Sequence, residues 1–114
     1  MIKEALEAVD PNVYYGMAGT VDDGDLWDYL VFARKNLSAA DQRTGYVDRY
    51  RVAIVRENYI PSETVFQVVD AMLSIPGMRL ASNDFEYDYA TKGKTNTVVE
   101  LLVLEFTKPV KRQA

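Results

Sequence analysis

Ser62-Glu63-Thr64-Val65-Phe66-Gln67-Val68-Val69-Asp70-Ala71-Met72-Leu73 reads as an amphipathic helix, and its position between strand-like halves of the chain decides the fold class. Val65, Val68, Val69, Met72 and Leu73 recur at three- and four-residue spacing, which places them on one stripe of an α-helix. Ser62 is expected as the N-cap, Glu63 suits the positive end of the helix dipole, and Pro76-Gly77 stops the helix.

On the N-terminal side, residues 46–56 alternate, with Tyr50, Val52 and Ile54 on one face and Arg49 and Arg51 on the other, which predicts a strand with one wet face. Residues 27–35 (Trp-Asp-Tyr-Leu-Val-Phe-Ala-Arg-Lys) are aromatic and β-branched on both faces, as in a strand covered on two sides, and a polar connection from Asn36 to Gly45 joins the two. Val13-Tyr14-Tyr15 predicts a brief strand, followed by Gly16-Met17-Ala18-Gly19 and the acidic stretch Asp22-Asp23-Gly24-Asp25, read as a solvated loop. Ile2, Ala5, Leu6 and Val9 share one helical face, and Asp10-Pro11 ends that first helix because a residue preceding proline avoids helical backbone.

On the C-terminal side, Phe85, Tyr87 and Tyr89 alternate with Asp84, Glu86 and Asp88 before a polar turn over residues 91–96 and a long strand over 98–107. Residues 108–114 hold too little apolar content to pack and are expected as a flexible tail. The predicted product is one α+β domain over residues 1–114, a mixed or antiparallel sheet of about four to five strands with two helices on one face. A parallel pairing of the strands that flank the main helix would make that helix a right-handed crossover; otherwise the sheet is wholly antiparallel.

Composition narrows the function by subtraction. The 114 residues include no histidine and no cysteine, so the most versatile proton-transfer group, the thiol nucleophile and the commonest transition-metal ligands are missing. A net charge of -4 argues against a phosphate-gripping surface over the whole domain. Acids at Glu4 and Glu7 stand where a secretory leader would be basic then apolar, and the densest apolar run, residues 98–106, is interrupted by Glu100 and Glu105 and is shorter than the roughly 20 residues that cross a bilayer. A soluble protein made in the cytoplasm is expected, with no catalytic residue, no cofactor and no metal. Eight tyrosines and one tryptophan point instead to contact surfaces.

The local motifs have plainer readings beside the chemical ones. The Asp22–Asp25 acids lack the ligand spacing of a calcium loop. Asp84, Glu86 and Asp88 share one face by the period-two rule, where they read as an outer or interface face more readily than as groups sharing a proton. Gly16–Gly19 and Lys92-Gly93-Lys94 lack the register of a phosphate cradle and read as turns. Arg43, Arg49, Arg51 and Arg56 with Tyr46 and Tyr50 offer a basic, stacking stripe that the acidic remainder opposes.

The order of elements resembles the small tail-terminator or tail-completion proteins at the neck of long-tailed bacteriophages and prophages. The likeness is carried by the short helix before Val13-Tyr14-Tyr15-Gly16, the strands Trp27-Asp28-Tyr29-Leu30-Val31-Phe32 and Tyr50-Arg51-Val52-Ala53-Ile54-Val55, the Ser62 helix, and the closing hairpin ending Leu101-Leu102-Val103-Leu104-Glu105-Phe106. It spans almost the full length, with no diagnostic tetrapeptide. The resemblance implies a ring of copies of the chain, commonly six, that caps the tail tube and offers its other face to the head connector or adaptor, with no catalysis and no membrane. DNA would pass through without sequence-specific binding. It implies assembly in the host cytoplasm and then a place in the virion neck. The strand reading assigns Tyr14, Tyr15, Trp27, Tyr87 and Tyr89 to interfaces, and Asp84, Glu86 and Asp88 to a lumen whose negative charge repels phosphate. The competing reading is a ligand-binding or partner-modulating domain of ferredoxin-like type, with a pocket lined by Trp27, Tyr29 and Phe32 or an edge open to strand addition.

Overall fold

The computed structural model describes residues 1–17, 26–39, 45–82, 84–93 and 95–111. The chain forms α1 (Ile2–Glu7), β1 (Val13–Tyr15), β2 (Tyr29–Ala39), β3 (Gly45–Glu57), α2 (Ser62–Leu73), β4 (Arg79–Leu80), β5 (Tyr87–Thr91) and β6 (Val98–Lys111). The strands make one six-stranded mixed sheet in the order β1-β2-β3-β6-β4, and β5 pairs β6 along the same edge as β4. The fold is α+β, with two helices and one strand more than the four to five expected.

Among the described residues parallel pairing occurs only between β1 and β2, while the strands that flank α2, β3 and β6, are antiparallel. The α2 connection is therefore not a parallel crossover. Alternation puts Leu30 of β2, Val52 and Ile54 of β3 and Leu102, Leu104 and Phe106 of β6 on one face, where they meet Leu6 of α1 and Val65, Val68 and Met72 of α2 in a single core. Both helices thus cover the same face. Phe106, Leu104, Val52, Ile54 and Val68 have no exposed surface.

Three local expectations change. Pro61, extended at φ -62 and ψ 139, is the N-cap, and Ser62 is the first helical residue with no side-chain capping bond. Proline presets the extended entry and its carbonyl accepts from the Thr64 N–H at 3.0 Å. The expected loose tail is strand as far as Lys111: Lys108, Pro109, Val110 and Lys111 stand opposite Asp48, Val47, Tyr46 and Gly45. Pro109 is tolerated because odd-numbered β6 residues turn their backbone groups away from β3, as the Glu105 carbonyl does in accepting from Ala81 at 2.9 Å. The connection expected at Asn36 is instead the end of β2, which continues through a register shift between Arg34 and Asn36 to Ala39.

The sheet outruns its helices. β6 has 14 residues and spans roughly 46 Å at about 3.3 Å per residue, whereas the 12 residues of α2 span about 18 Å. The molecule is accordingly elongated, 52 × 26 × 24 Å, and a three-stranded arm made of residues 34–39, 45–50 and 107–111 extends past the helices. Among the described residues no helix is long and apolar enough to cross a membrane.

Phe106→Ala is expected to lower the unfolding free energy by about 3–5 kcal/mol in urea denaturation, because a fully buried ring leaves a cavity. Phe66→Ala, on the exposed side of α2, should change it by less than about 0.5 kcal/mol; equal losses would contradict the assigned core.

Candidate interaction surfaces

No helix or second sheet among the described residues packs on the face of the sheet opposite the helices; Val55 and Val99 are buried at one end of that face, and its centre is apolar. Tyr14, Val31, Ala53 and Val103 stand in one row across β1, β2, β3 and β6, and Tyr29, Val55 and Leu101 form the next row. Val103 is 41% exposed, and Tyr14, Val31, Ala53 and Leu101 are half-buried. An antiparallel sheet with a solvated face alternates apolar with polar, so an apolar centre on the uncovered side departs from that pattern. Charge gathers at the margin: Lys35 donates to the Glu105 carboxylate at 2.7 Å, with Arg51 and Arg49 near. The hydrogen bond from Lys35, reinforced by the three positive charges, holds Glu105 below the usual glutamate range.

The aromatic residues expected at interfaces do not converge on one patch. Tyr14 lies on the helix-free face, edge-to-face against Tyr29 with ring centres 5.6 Å apart, while Tyr15 lies on the helix face against Phe32. Tyr87 and Tyr89 stand on the opposite edge of the sheet, 46% and 59% exposed, and Tyr15 is 62% exposed. Two tyrosine pairs therefore mark two different edges. Trp27 precedes β2, where its backbone N–H donates to Glu57 Oε2 at 2.6 Å.

Asp84 and Glu86 precede β5 rather than belonging to it, and with Asp88 they are exposed along the β5 edge. Asp84 and Glu86 line a shallow groove with Ser82, Val103 and Glu105. Among the described residues, no three acidic side chains are grouped to hold a metal ion. The Asp22–Asp25 stretch, Arg43 and Lys94 lie outside the described residues.

The basic stripe is divided. Arg56 reaches the helix face, where it pairs with Asp10 at 2.8 Å and both are largely buried, while Arg49 and Arg51 stay on the other face beside Glu105. The expected pocket of Trp27, Tyr29 and Phe32 does not form either, because residues three apart on a strand point to opposite faces. A different cleft of about 420 Å³ opens on the helix face where α1 meets the arm, with Tyr15, Phe32 and Tyr50 as aromatic walls and Arg34 and Lys108 at the rim. Burial pushes the Tyr50 hydroxyl above its usual pKa, helped by the negative charge of Asp48, whose Oδ2 accepts a hydrogen bond from that hydroxyl at 3.2 Å.

A set of polar residues not foreseen as a group pins the end of the sheet remote from the arm. Lys92 donates to Glu57 Oε2 at 2.9 Å, and the Glu100 carboxylate accepts from the Ile60 N–H at 2.8 Å and from the Tyr89 hydroxyl. That last bond raises the Tyr89 pKa. Glu100 carried a readable signal: by period two it shares the face of Leu102, Leu104 and Phe106, where a charge needs partners. No protein-family model matches the chain, and no curated protein matches it.

The hydrogen bond from Lys92, followed by that from the Trp27 N–H, lowers the Glu57 pKa below its ordinary value of 4.5. Glu57 therefore stabilises the fold above the unfolded-state value, and that contribution is lost as pH falls through the lowered one. Melting temperature should drop as pH falls below about 4.5, and the drop should be shallower in Glu57→Gln, measured by circular dichroism; parallel curves would contradict the pairing.

Proposed function

We propose that this chain is a non-catalytic structural subunit that assembles with copies of itself into a ring at the head-proximal end of a long-tailed phage tail tube. There it would join the tube to the head connector or adaptor. The observation that carries the self-assembly is the apolar row Tyr14, Val31, Ala53 and Val103 on a sheet face that no helix or second sheet covers among the described residues. Apolar surface of that kind on a six-stranded sheet is stabilised by a further layer or by neighbours.

Two unlike edges support a cyclic arrangement. A ring needs two different patches that meet head to tail, and the Tyr14–Tyr15 edge and the Tyr87–Tyr89 edge differ in sequence, length and charge. The acidic residues Asp84, Glu86 and Asp88 would repel phosphate if turned to a lumen through which DNA passes. The placement at a phage neck, and the tube and connector as partners, rest on the likeness in the order of elements.

A second reading is favoured by one observation, the cleft between Tyr15, Phe32 and Tyr50 with Arg34 and Lys108 at its rim. That arrangement suits a small apolar anion.

Sedimentation velocity across a wide concentration range, with negative-stain microscopy of the assembled fraction, is expected to show closed rings. Monomer at every concentration, with no binding to purified tail tubes, would overturn the reading. A saturable rise in melting temperature with an apolar anion, lost in Arg34→Gln, would favour the cleft instead.

A further inference from the structure

Resting on the reading of the chain as a self-assembling subunit, we propose that copies join by strand addition between two specific edges. The outer edge of β5 in one copy pairs antiparallel with the outer edge of residues 34–39 in the next, and Asp88 meets Lys35 across the seam on the helix-free face.

Both edges are open and similar in length. Lys92 donates its backbone N–H to the Thr97 carbonyl at 2.9 Å, so alternation along β5 turns the backbone groups of Tyr87, Tyr89 and Thr91 away from β6. All five residues of β5 are exposed. At the other side of the sheet, β1 ends with Tyr15 opposite Phe32, and the Gly16 N–H takes the Phe32 carbonyl at 2.8 Å. Beyond that point no strand among the described residues pairs with the outer side of β2, and residues 34–39 are all exposed.

Chain direction fits the pairing. β2 is antiparallel to β3, β3 to β6 and β6 to β5, so β2 and β5 of one sheet run in opposite directions. Copies repeated in the same sense present these two edges to each other antiparallel, the more stable ladder. The edges occupy diagonal corners of the sheet, so successive copies step along the strand direction, the stagger and strand tilt that closed sheets require.

Charge selects this pairing over the alternatives. On the helix-free face the β5 edge carries Asp88, with Asp84 and Glu86 preceding it, and the β2 edge carries Lys35, whereas Arg34 stands on the helix face. Two β5 edges would set acids against acids, two β2 edges bases against bases, and only the mixed seam matches opposite signs.

Asp88 has a second role in this seam. Its Oδ1 accepts from the Tyr89 N–H at 2.8 Å, and that N–H is the central outward donor of β5. The free edge is thereby covered by its own neighbour, which protects an exposed strand from indiscriminate pairing. Joining the next copy exchanges this contact: Asp88 turns to Lys35, and the Tyr89 N–H passes to the incoming carbonyl.

The test uses the full chain at low salt, with circular dichroism to establish that each variant is folded and mass photometry to read the assembly midpoint. Asp88→Lys, and separately Lys35→Glu, are each expected to move the midpoint about tenfold or more to higher concentration. The chain carrying both changes should return to within about threefold of the original. Tyr87→Pro, at the first position of β5, removes an outward donor but no backbone bond to β6, so it should fold and remain monomeric. Wild-type assembly left unchanged by both reversals and by Tyr87→Pro would overturn the seam while leaving self-assembly standing. Failure of the unaltered chain to assemble would overturn the underlying reading as well.

Discussion

The continuous antiparallel register between β3 and β6 is the constraint on which the rest of the structure depends. Thirteen consecutive residues, Gly45–Glu57, each have a partner in β6, and the side-chain period of two then assigns every residue of both strands to a face. Leu102, Leu104 and Phe106 meet Val52 and Ile54 under the helices because of that register. A slip of one residue would send Val103 and Glu105 into the core and the three large side chains into solvent. The pins at the far end of the pair act on the same alignment: Glu57 holds Lys92 and the Trp27 N–H, and Glu100 holds Ile60 and Tyr89.

From that ladder follow an incomplete layer and unequal edges. The two helices are too short to cover strands of 13 and 14 residues, so the arm beyond Tyr50 and Phe106 projects, and the reverse face keeps an apolar centre. Among the described residues, the sheet closes on one side with three residues of β1, leaving the rest of β2 unpaired, and on the other with β4 and β5, whose outer edges pair with no strand. In the proposed assembly, neighbouring copies would complete this sheet.

Much of this was readable in the residues. The stripe of Val65, Val68 and Met72 marks α2, and the alternation of Tyr50, Val52 and Ile54 marks β3 with its two faces. The strand ends were not readable, because Asn36, Ser38 and Lys108 carry weak local preference and become strand only through pairing with a long neighbour. β4, two residues long, leaves no periodic trace at all. For the surfaces, Glu100 was recognisable as a charge on the apolar face, and period two already separates Tyr29 from Phe32 and Tyr14 from Tyr15. The distribution of Tyr14–Tyr15 and Tyr87–Tyr89 to opposite edges was hidden, because it depends on strand order, which periodicity does not encode.

The claim at the centre of this account is that the sheet is finished by other copies of the chain. Residue-resolved amide hydrogen exchange, recorded by NMR at low and at high protein concentration, tests it most directly. The outward amides of Tyr87, Thr91, Leu37 and Ala39 are expected to exchange quickly in dilute solution and to become protected as concentration rises, while Leu102 and Leu104 stay protected throughout. Equal, fast exchange of the four outward amides at every concentration would contradict it.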